Sequence, residues 1–179
     1  MFTEQILKSI LSLKAFSATS RAHTPALEGI YISVDAERKT ITALATDRYA
    51  VARMVISVPE YAGESWERNV PLATLNAALA TVKATRGSVA TFPESYMPEF
   101  PARVTTIPDM FINSEDAADG GDFNAKYLGA ISKINVGGDR SGRWSIRTVD
   151  YNNQTVMSAT ATCGNYEATV VVMSLRTQN

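Results

Sequence analysis

The residues best suited to chemistry are Thr46–Tyr49, inside the segment TALATDRYAVARM. They interrupt two strand-like runs and would form the corner between two strands. A carboxylate followed by a guanidinium and a phenol could serve acid–base catalysis, could bind a partner, or could simply build a polar turn. Catalysis by Asp47, Arg48 and Asp109 would also need a nucleophile or a further base, and none lies close by in the sequence. We therefore expect that the protein is not an enzyme.

The sequence does not predict a metal or cofactor site either. His23 is the only histidine and Cys163 the only cysteine, whereas a zinc site needs several such ligands at short spacing. No glycine-rich phosphate loop is present, and the acidic run at 115–122 lacks the alternation and the final glutamate of a calcium-binding loop. The prediction is therefore no cofactor, no metal and no catalytic residue.

The composition excludes several classes of protein. The chain has 179 residues, which suits one domain or two small ones, and its formal net charge is −1. This balance excludes a cationic field over the whole molecule, although one face could still be basic. The lone thiol fits the reducing cytoplasm, and no apolar run approaches the ~20 residues of a membrane span. We expect a cytoplasmic protein without a membrane partner.

The elements that would position the corner recur three times along the chain. Each of three segments begins with a helix and continues in antiparallel strands, which indicates an α+β fold. Thr3 caps the first helix, Pro71 starts the second and Asn124 caps the third. The helices are expected to end near residues 16, 83 and 134, and the predicted strands are 27–34, 39–46, 49–58, 88–92, 100–106, 143–149, 155–162 and 167–175.

Four sequence motifs occur in an order that is typical of one protein family. They are TPALEG at 24–29, ATDRYAVA at 45–52, FNAKYL at 123–128 and VVVMSLR at 170–176, with a weaker fifth motif, IPDM, at 107–110. In these motifs the chain resembles the bacterial DNA polymerase III beta sliding clamps. The corner segment is similar to a strand corner of that family, and the last motif resembles its C-terminal strand.

The resemblance implies a DNA-clamp-like α+β fold of three βαβββ-type half-units, with helices on one face of antiparallel sheets. Residues 1–112 would form a domain of two half-units, 113–122 an acidic linker and 123–179 a third half-unit. The implied function is that of a DNA sliding clamp, a non-enzymatic processivity factor of DNA replication, in a shortened and conceivably phage-encoded version. A homo-oligomeric ring and a monomer both stay open, and so does a clamp loader as a further partner.

In this family, the replicative polymerase and other clamp-binding proteins dock a short apolar peptide between two domains. By resemblance, the pocket for that peptide would be lined by Leu27, Thr46, Arg48, Tyr49, Ala50, Val51, Pro108, Val171, Met173 and Ser174. Arg48, Ala50 and Ser174 replace the glycine, arginine and proline usual at these positions, so the groove could prefer a different peptide. The alternative is a monomeric clamp-like module that binds polymerase or repair proteins through this pocket without encircling DNA.

Double-stranded DNA would be bound without sequence preference through the helix faces. Lys126 and Lys133 lie about two helical turns apart, with small residues between them. Together with one loop position carried over from the family, the predicted DNA contacts are Lys8, Lys14, Arg21, Lys83, Lys126 and Lys133. The competing interpretation is an ordinary solvated lysine face.

Overall fold

The computed structural model describes residues 1–19, 24–86, 88–92, 97–111, 116–117, 121–138, 143–152 and 154–175. In this part of the chain the strands are β1 Gly29–Asp35, β2 Thr40–Thr46, β3 Ala50–Ser57, β4 Trp66–Pro71, β5 Ser145–Tyr151, β6 Gln154–Cys163 and β7 Tyr166–Met173. The helices are α1 Glu4–Ser12, α2 Leu72–Ala84, α3 Ala102–Thr105, α4 Ile107–Met110 and α5 Ala125–Ile131, with short 3-10 turns at Leu13–Phe16 and Pro25–Leu27.

These strands form one antiparallel sheet in the order β4-β1-β2-β3-β7-β6-β5. The pairing of β3 with β7, in which Val51 lies opposite Val171, joins the strands from the two ends of the chain. The α+β class and the antiparallel sheet predicted from the sequence are thus confirmed.

Helices α1, α2 and α5 cover one face of the sheet, which we call the helical face. Thr3 caps α1 by accepting a hydrogen bond from the Ile6 amide at 3.3 Å, as the sequence predicted. Leu7 and Ile10, one turn apart, are fully buried in one large cluster with strand residues such as Met54. Apolar residues at helical spacing therefore explain both the formation and the position of α1.

The opposite face, which we call the outer face, is covered by α3, α4 and the residues just before and after them. Phe100 packs into one small cluster of strand residues and Phe111 into a second, while Ile107 contacts both. The strand and turn residues covered in this way include Leu27, Leu44, Val51, Val149, Val156 and Val171. Two single-turn helices thus close a small apolar core on the outer face.

The strands predicted near 88–92 and 100–106 are wrong. Residues Ala102–Thr105 form α3, and within 88–92 only Ala90 makes a β-bridge, to Phe2. The β-branched run before Ile107 suggested a strand, but Pro101 and Pro108 sit where proline starts a helical turn and cannot donate to a sheet ladder. The sequence analysis also missed β4, which runs directly into α2.

The third segment largely follows its prediction. Helix α5 begins after Asn124, whose side chain accepts from the Lys126 amide, but it ends at Ile131 and leaves Leu128 exposed. The turn between β6 and β7 contains Gly164 at a φ of +54°, as expected for a tight hairpin.

Residues 113–115 and 118–120 of the predicted acidic linker lie outside the described residues. Of the remainder, Asp116 forms a β-bridge to Val149 on β5. The domain boundaries around this segment stay a prediction.

Candidate functional site

The corner between β2 and β3, Thr46–Ala50, is held in place by its own side chains. The Thr46 hydroxyl donates to the Ala50 carbonyl at 2.7 Å and accepts from the Arg48 amide at 3.1 Å. Such side-chain bonds to nearby backbone are what Asp and Thr offer in turns. The polar types at this corner therefore have a structural role, which answers part of the question that its sequence raises.

Asp47 is the most connected residue of the corner. Its Oδ1 accepts hydrogen bonds from the amides of Tyr49 and Ala50, each at 3.1 Å. Its Oδ2 accepts from the Tyr127 hydroxyl at 2.7 Å and from the Lys126 ammonium at 3.0 Å. One carboxylate therefore ties the corner to helix α5, which comes 80 residues later in the chain.

The environment of this carboxylate fixes the protonation states of its two donors. Burial, together with the hydrogen bond donated to Asp47, raises the pKa of Tyr127 to about 12. Burial opposes the charged form of Lys126, but its interactions with Tyr127 and Asp47 outweigh this and raise the pKa of the ammonium. At neutral pH Tyr127 is thus a neutral donor and Lys126 a cation, whose Nζ lies 4.4 Å from the centre of the Tyr127 ring.

Arg48 occupies a strained position at the corner. Its φ is +81°, in the left-handed region where a side chain usually costs energy and glycine does not. The resemblance implies a glycine here, and the positive φ gives the physical reason for that preference. Two hydrogen bonds stabilise this conformation, because the Thr46 hydroxyl accepts from the Arg48 amide and Asp47 Oδ1 accepts from the Tyr49 amide.

The end of β7 lies directly beside the corner. The Met173 amide donates to the Tyr49 carbonyl at 2.9 Å, and the next pair along the strands is Ala50 with Val172. Tyr49 and Met173, which are two of the ten residues predicted for the peptide pocket, are therefore neighbours.

The apolar walls expected for that pocket are already packed within the chain. Leu27 and Val51 belong to a cluster with Phe100, and Val171 to a cluster with Phe111. These three wall residues are buried, and so is Pro108 within α4. In the structure α4 and its flanks lie over these wall residues on the outer face, and the pocket itself stays a prediction.

Two arginines fasten α4 and its end to the sheet. Arg53, only 8% exposed, forms an ion pair with Asp109 and a longer one, at 3.7 Å, with Glu167. Arg147 on β5 donates to the Phe111 carbonyl. Both contacts anchor the backbone that covers the pocket walls.

What stays accessible is a rim, which we define as Arg48, Tyr49, Met173 and Ser174. Tyr49 is 65% exposed, Arg48 is also exposed, and Met173 and Ser174 are half-buried. Leu175, 54% exposed, directly follows the rim. Of the ten predicted pocket residues, Thr46, Ala50 and the apolar walls therefore support the rim from below.

The predicted DNA contacts are in three different situations. Lys8 forms a 2.7 Å ion pair with Glu4, and Lys126 is paired with Asp47. Exposed side chains belong to Lys14, at the 3-10 turn after α1, to Lys83, in the last turn of α2, and to Lys133, just beyond the end of α5. Arg21 lies outside the described residues.

Sequence analysis missed the residues that hold the site together. Tyr127 lies in the FNAKYL motif, but nothing local shows that its hydroxyl reaches Asp47. Phe100, Ile107 and Phe111 recur around the two prolines, and this spacing of large apolar residues was the one available signal that the segment packs onto the sheet.

Two further kinds of site are not found in the described part of the chain. No group of three or more His, Cys, Asp or Glu side chains there is placed to hold a metal ion. None of the helices among the same residues has the length and hydropathy needed to span a bilayer.

Several solved structures share this fold. The H. pylori beta clamp in complex with diflunisal matches with a TM-score of 0.61 and 11% identity, over 98% of this chain and 65% of the clamp. The sliding clamp of Bartonella birtlesii bound to griselimycin matches with a TM-score of 0.53 and 13% identity, over 98% of this chain and 65% of that one. The DNA polymerase III subunit beta of Pseudomonas aeruginosa matches with 0.52 and 13%, over 98% and 66%.

These matches establish that the chain has the fold of the DNA polymerase III beta sliding clamps, as the sequence motifs implied. It spans about a third to two thirds of the length of the clamp chains it matches. No protein-family model and no curated protein matches the sequence.

Proposed function

We propose that this protein is a sliding-clamp-type processivity factor that binds partner peptides at the rim and duplex DNA through its helical face, without catalysing a reaction. The observation that carries the proposal is the pairing of β3 with β7, because it gathers the predicted pocket residues from both ends of the chain. The engagement of Asp47 and Asp109 in hydrogen bonds and ion pairs favours a structural role for them over a catalytic one.

The rim has the chemistry of a peptide-binding surface. Tyr49 presents a flat apolar ring with a hydroxyl, a combination that is enriched among binding hot spots. Met173 adds a flexible thioether that adapts to different apolar ligands. Because Val51 and Val171 are buried directly below, the rim rests on a rigid support.

The proposal is tested with a fluorescein-labelled, largely apolar peptide from a bacterial replicative polymerase. We expect Tyr49→Ala and Met173→Ala each to weaken binding about tenfold in a polarisation titration, as hot-spot truncations do. Val89→Ala is the matched control, because Val89 is similarly exposed but lies beside the Phe2–Ala90 bridge, away from β3 and β7.

Absence of peptide binding to the wild-type protein would remove the peptide-binding part of the proposal. Wild-type binding that both rim variants retain would instead place the peptide elsewhere on the molecule. A loss in the Val89 variant equal to that of the rim variants would show a general effect on folding.

The DNA-binding part of the proposal depends on the exposed lysines of the helical face. Lys14, Lys83 and Lys133 are exposed, and non-specific contacts to phosphates release counterions. We expect Lys133→Met to reduce the slope of log affinity against log salt for duplex DNA by about one. An unchanged slope would remove Lys133 from the DNA contacts.

One observation favours the second candidate, a monomeric interaction module. Two of the six predicted cations, Lys8 and Lys126, are held in ion pairs, which makes a continuous cationic face less extensive than the sequence suggested. Sedimentation of the protein separates the two functions. A closed oligomer that binds duplex DNA supports the clamp, whereas a monomer that binds the peptide but not DNA supports the module.

A further inference from the structure

We infer that Tyr127 and Lys126 of α5 are positioning residues for the partner-binding rim, acting through Asp47. This inference rests on the proposed function, because it assigns a role within the same site. It differs from the sequence-based expectation for Lys126, which was a direct contact to DNA.

The two carboxylate oxygens of Asp47 accept hydrogen bonds from two different parts of the molecule. Oδ1 accepts from the amides of Tyr49 and Ala50, and so fixes the backbone that presents the rim. Oδ2 accepts from Tyr127 and Lys126 on α5. The Asp47 side chain is only 15% exposed, so few waters can replace these donors. The orientation of the carboxylate therefore depends on α5.

The corner needs this support because its conformation is strained. Arg48 has a φ of +81°, and the neighbouring Tyr49 side chain is 65% exposed, with little packing to hold it. A carboxylate that lost its anchor on α5 would hold the two amides less firmly. The corner would then sample other conformations, and a partner would have to select the competent one.

Tyr127 is itself rigidly placed. Its residue is 3% exposed, and its ring stacks on Phe16 with the ring centres 6.2 Å apart. The Lys126 ammonium lies over the same ring and completes the pair of donors to Oδ2. Because Lys126 is committed to this ion pair, a phosphate would have to compete with Asp47 for it.

The first test removes single donors and leaves the packing in place. Tyr127→Phe deletes the hydroxyl but keeps the ring on Phe16. We expect it to weaken binding of the labelled polymerase peptide about fivefold. Lys126→Met removes the half-exposed ion-pair partner of Asp47 and should weaken peptide binding about twofold. Tyr166→Phe is the matched control, because it removes a hydroxyl at the opposite end of the β3–β7 pair.

The second test identifies the route through Asp47. If Tyr127 acts through this carboxylate, Tyr127→Phe combined with Asp47→Ala weakens peptide binding no more than Asp47→Ala alone, because alanine removes both oxygens. Additive losses in this double-mutant cycle would mean that Tyr127 acts on the peptide by another route, and would overturn the inference.

The third test needs no peptide. Amide hydrogen exchange of Tyr49 and Ala50 should be about fivefold faster in Tyr127→Phe than in the wild type, while exchange at β6 stays unchanged. Unchanged exchange at both amides would overturn the inference even if the peptide binds. Faster exchange in a protein that fails to bind the peptide would support the positioning role and contradict the proposed function.

Discussion

The two faces of the seven-stranded sheet are covered in very different ways. The helical face carries α1, α2 and α5, and its cluster contains fully buried side chains such as Leu7, Ile10 and Leu75. The outer face carries two single-turn helices, and Arg53 and Arg147 fasten α4 and the residue that follows it to the sheet. The helical face therefore supplies most of the stabilisation of the fold, and the outer face supplies a surface next to which a partner could bind.

The corner stands at the boundary between the two faces. Asp47 reaches α5 on the helical face, while Val51 is buried under the cluster of the outer face. Binding of a partner at the rim would therefore depend on the residues of both faces. The variants that follow separate these contributions, because each changes the helical face, the outer face or the boundary between them.

The largest effect is expected on the helical face. Ile10→Ala should lower the free energy of unfolding by about 3 kcal/mol, because Ile10 is fully buried and the cavity left behind cannot collapse completely. Alanine is a good helix former, so the loss reports packing and not helix propensity. Urea denaturation measures it, with Lys14→Ala as an exposed control expected within about 0.5 kcal/mol of the wild type.

A smaller effect is expected on the outer face. Ile107 contacts both outer clusters but is only partly buried, so Ile107→Ala should cost about 1.5 kcal/mol of unfolding free energy. The same urea experiment measures the loss. A cost equal to that of Ile10→Ala would contradict the division of the sheet into a dominant face and a minor one.

At the boundary, a stabilising substitution is expected. Arg48→Gly should raise the unfolding free energy by up to about 1 kcal/mol, because glycine adopts a φ of +81° without the penalty of a side chain. Arg48→Ala keeps a Cβ and should give no such gain. Equal stability of the glycine and alanine variants would mean that the corner is not strained.

The last comparison uses one tyrosine from each face at high pH. Burial is the main reason that the pKa of Tyr127, on the helical face, and that of Tyr31, on the outer face, are each raised to about 12. Between pH 10 and 12 these two hydroxyls therefore stay protonated in the folded state, whereas in the unfolded state they lose their protons near pH ~10. The unfolding free energy consequently falls as the pH rises. Tyr127→Phe and Tyr31→Phe should each flatten this decline in urea denaturation at these pH values. A decline as steep as that of the wild type would contradict the raised pKa of the tyrosine replaced.

Local patterns in the sequence predicted the helical face well. Helix α2 was expected over 72–83 and runs over Leu72–Ala84, and the Thr3 cap was correctly placed. Both features depend on residues three or four positions apart, which the sequence shows directly. Strand-like runs in the sequence predicted β2, β3 and β6 to within two residues.

The outer face was not predicted because its structure depends on distant contacts. The run around Thr105 and Thr106 has strand propensity. Packing of Phe100, Ile107 and Phe111 on the sheet nevertheless favours helical turns over a strand. The ion pair of Arg53 with Asp109 joins residues 56 apart, and the bond from Tyr127 to Asp47 joins residues 80 apart. No local pattern records such pairs. The adjacency of Tyr49 and Met173 was implied only by the family resemblance.

The pairing of β3 with β7 underlies the whole account, and NMR spectroscopy tests it directly. Because the Met173 amide bonds to the Tyr49 carbonyl, the next pair, Ala50 and Val172, is the closely spaced kind, with about 4.5 Å between the Cα atoms. We predict a strong nuclear Overhauser effect between the Hα atoms of Ala50 and Val172. Absence of that signal, or its appearance between Ala50 and another residue of β7, would contradict the pairing of β3 with β7 on which the proposed site depends.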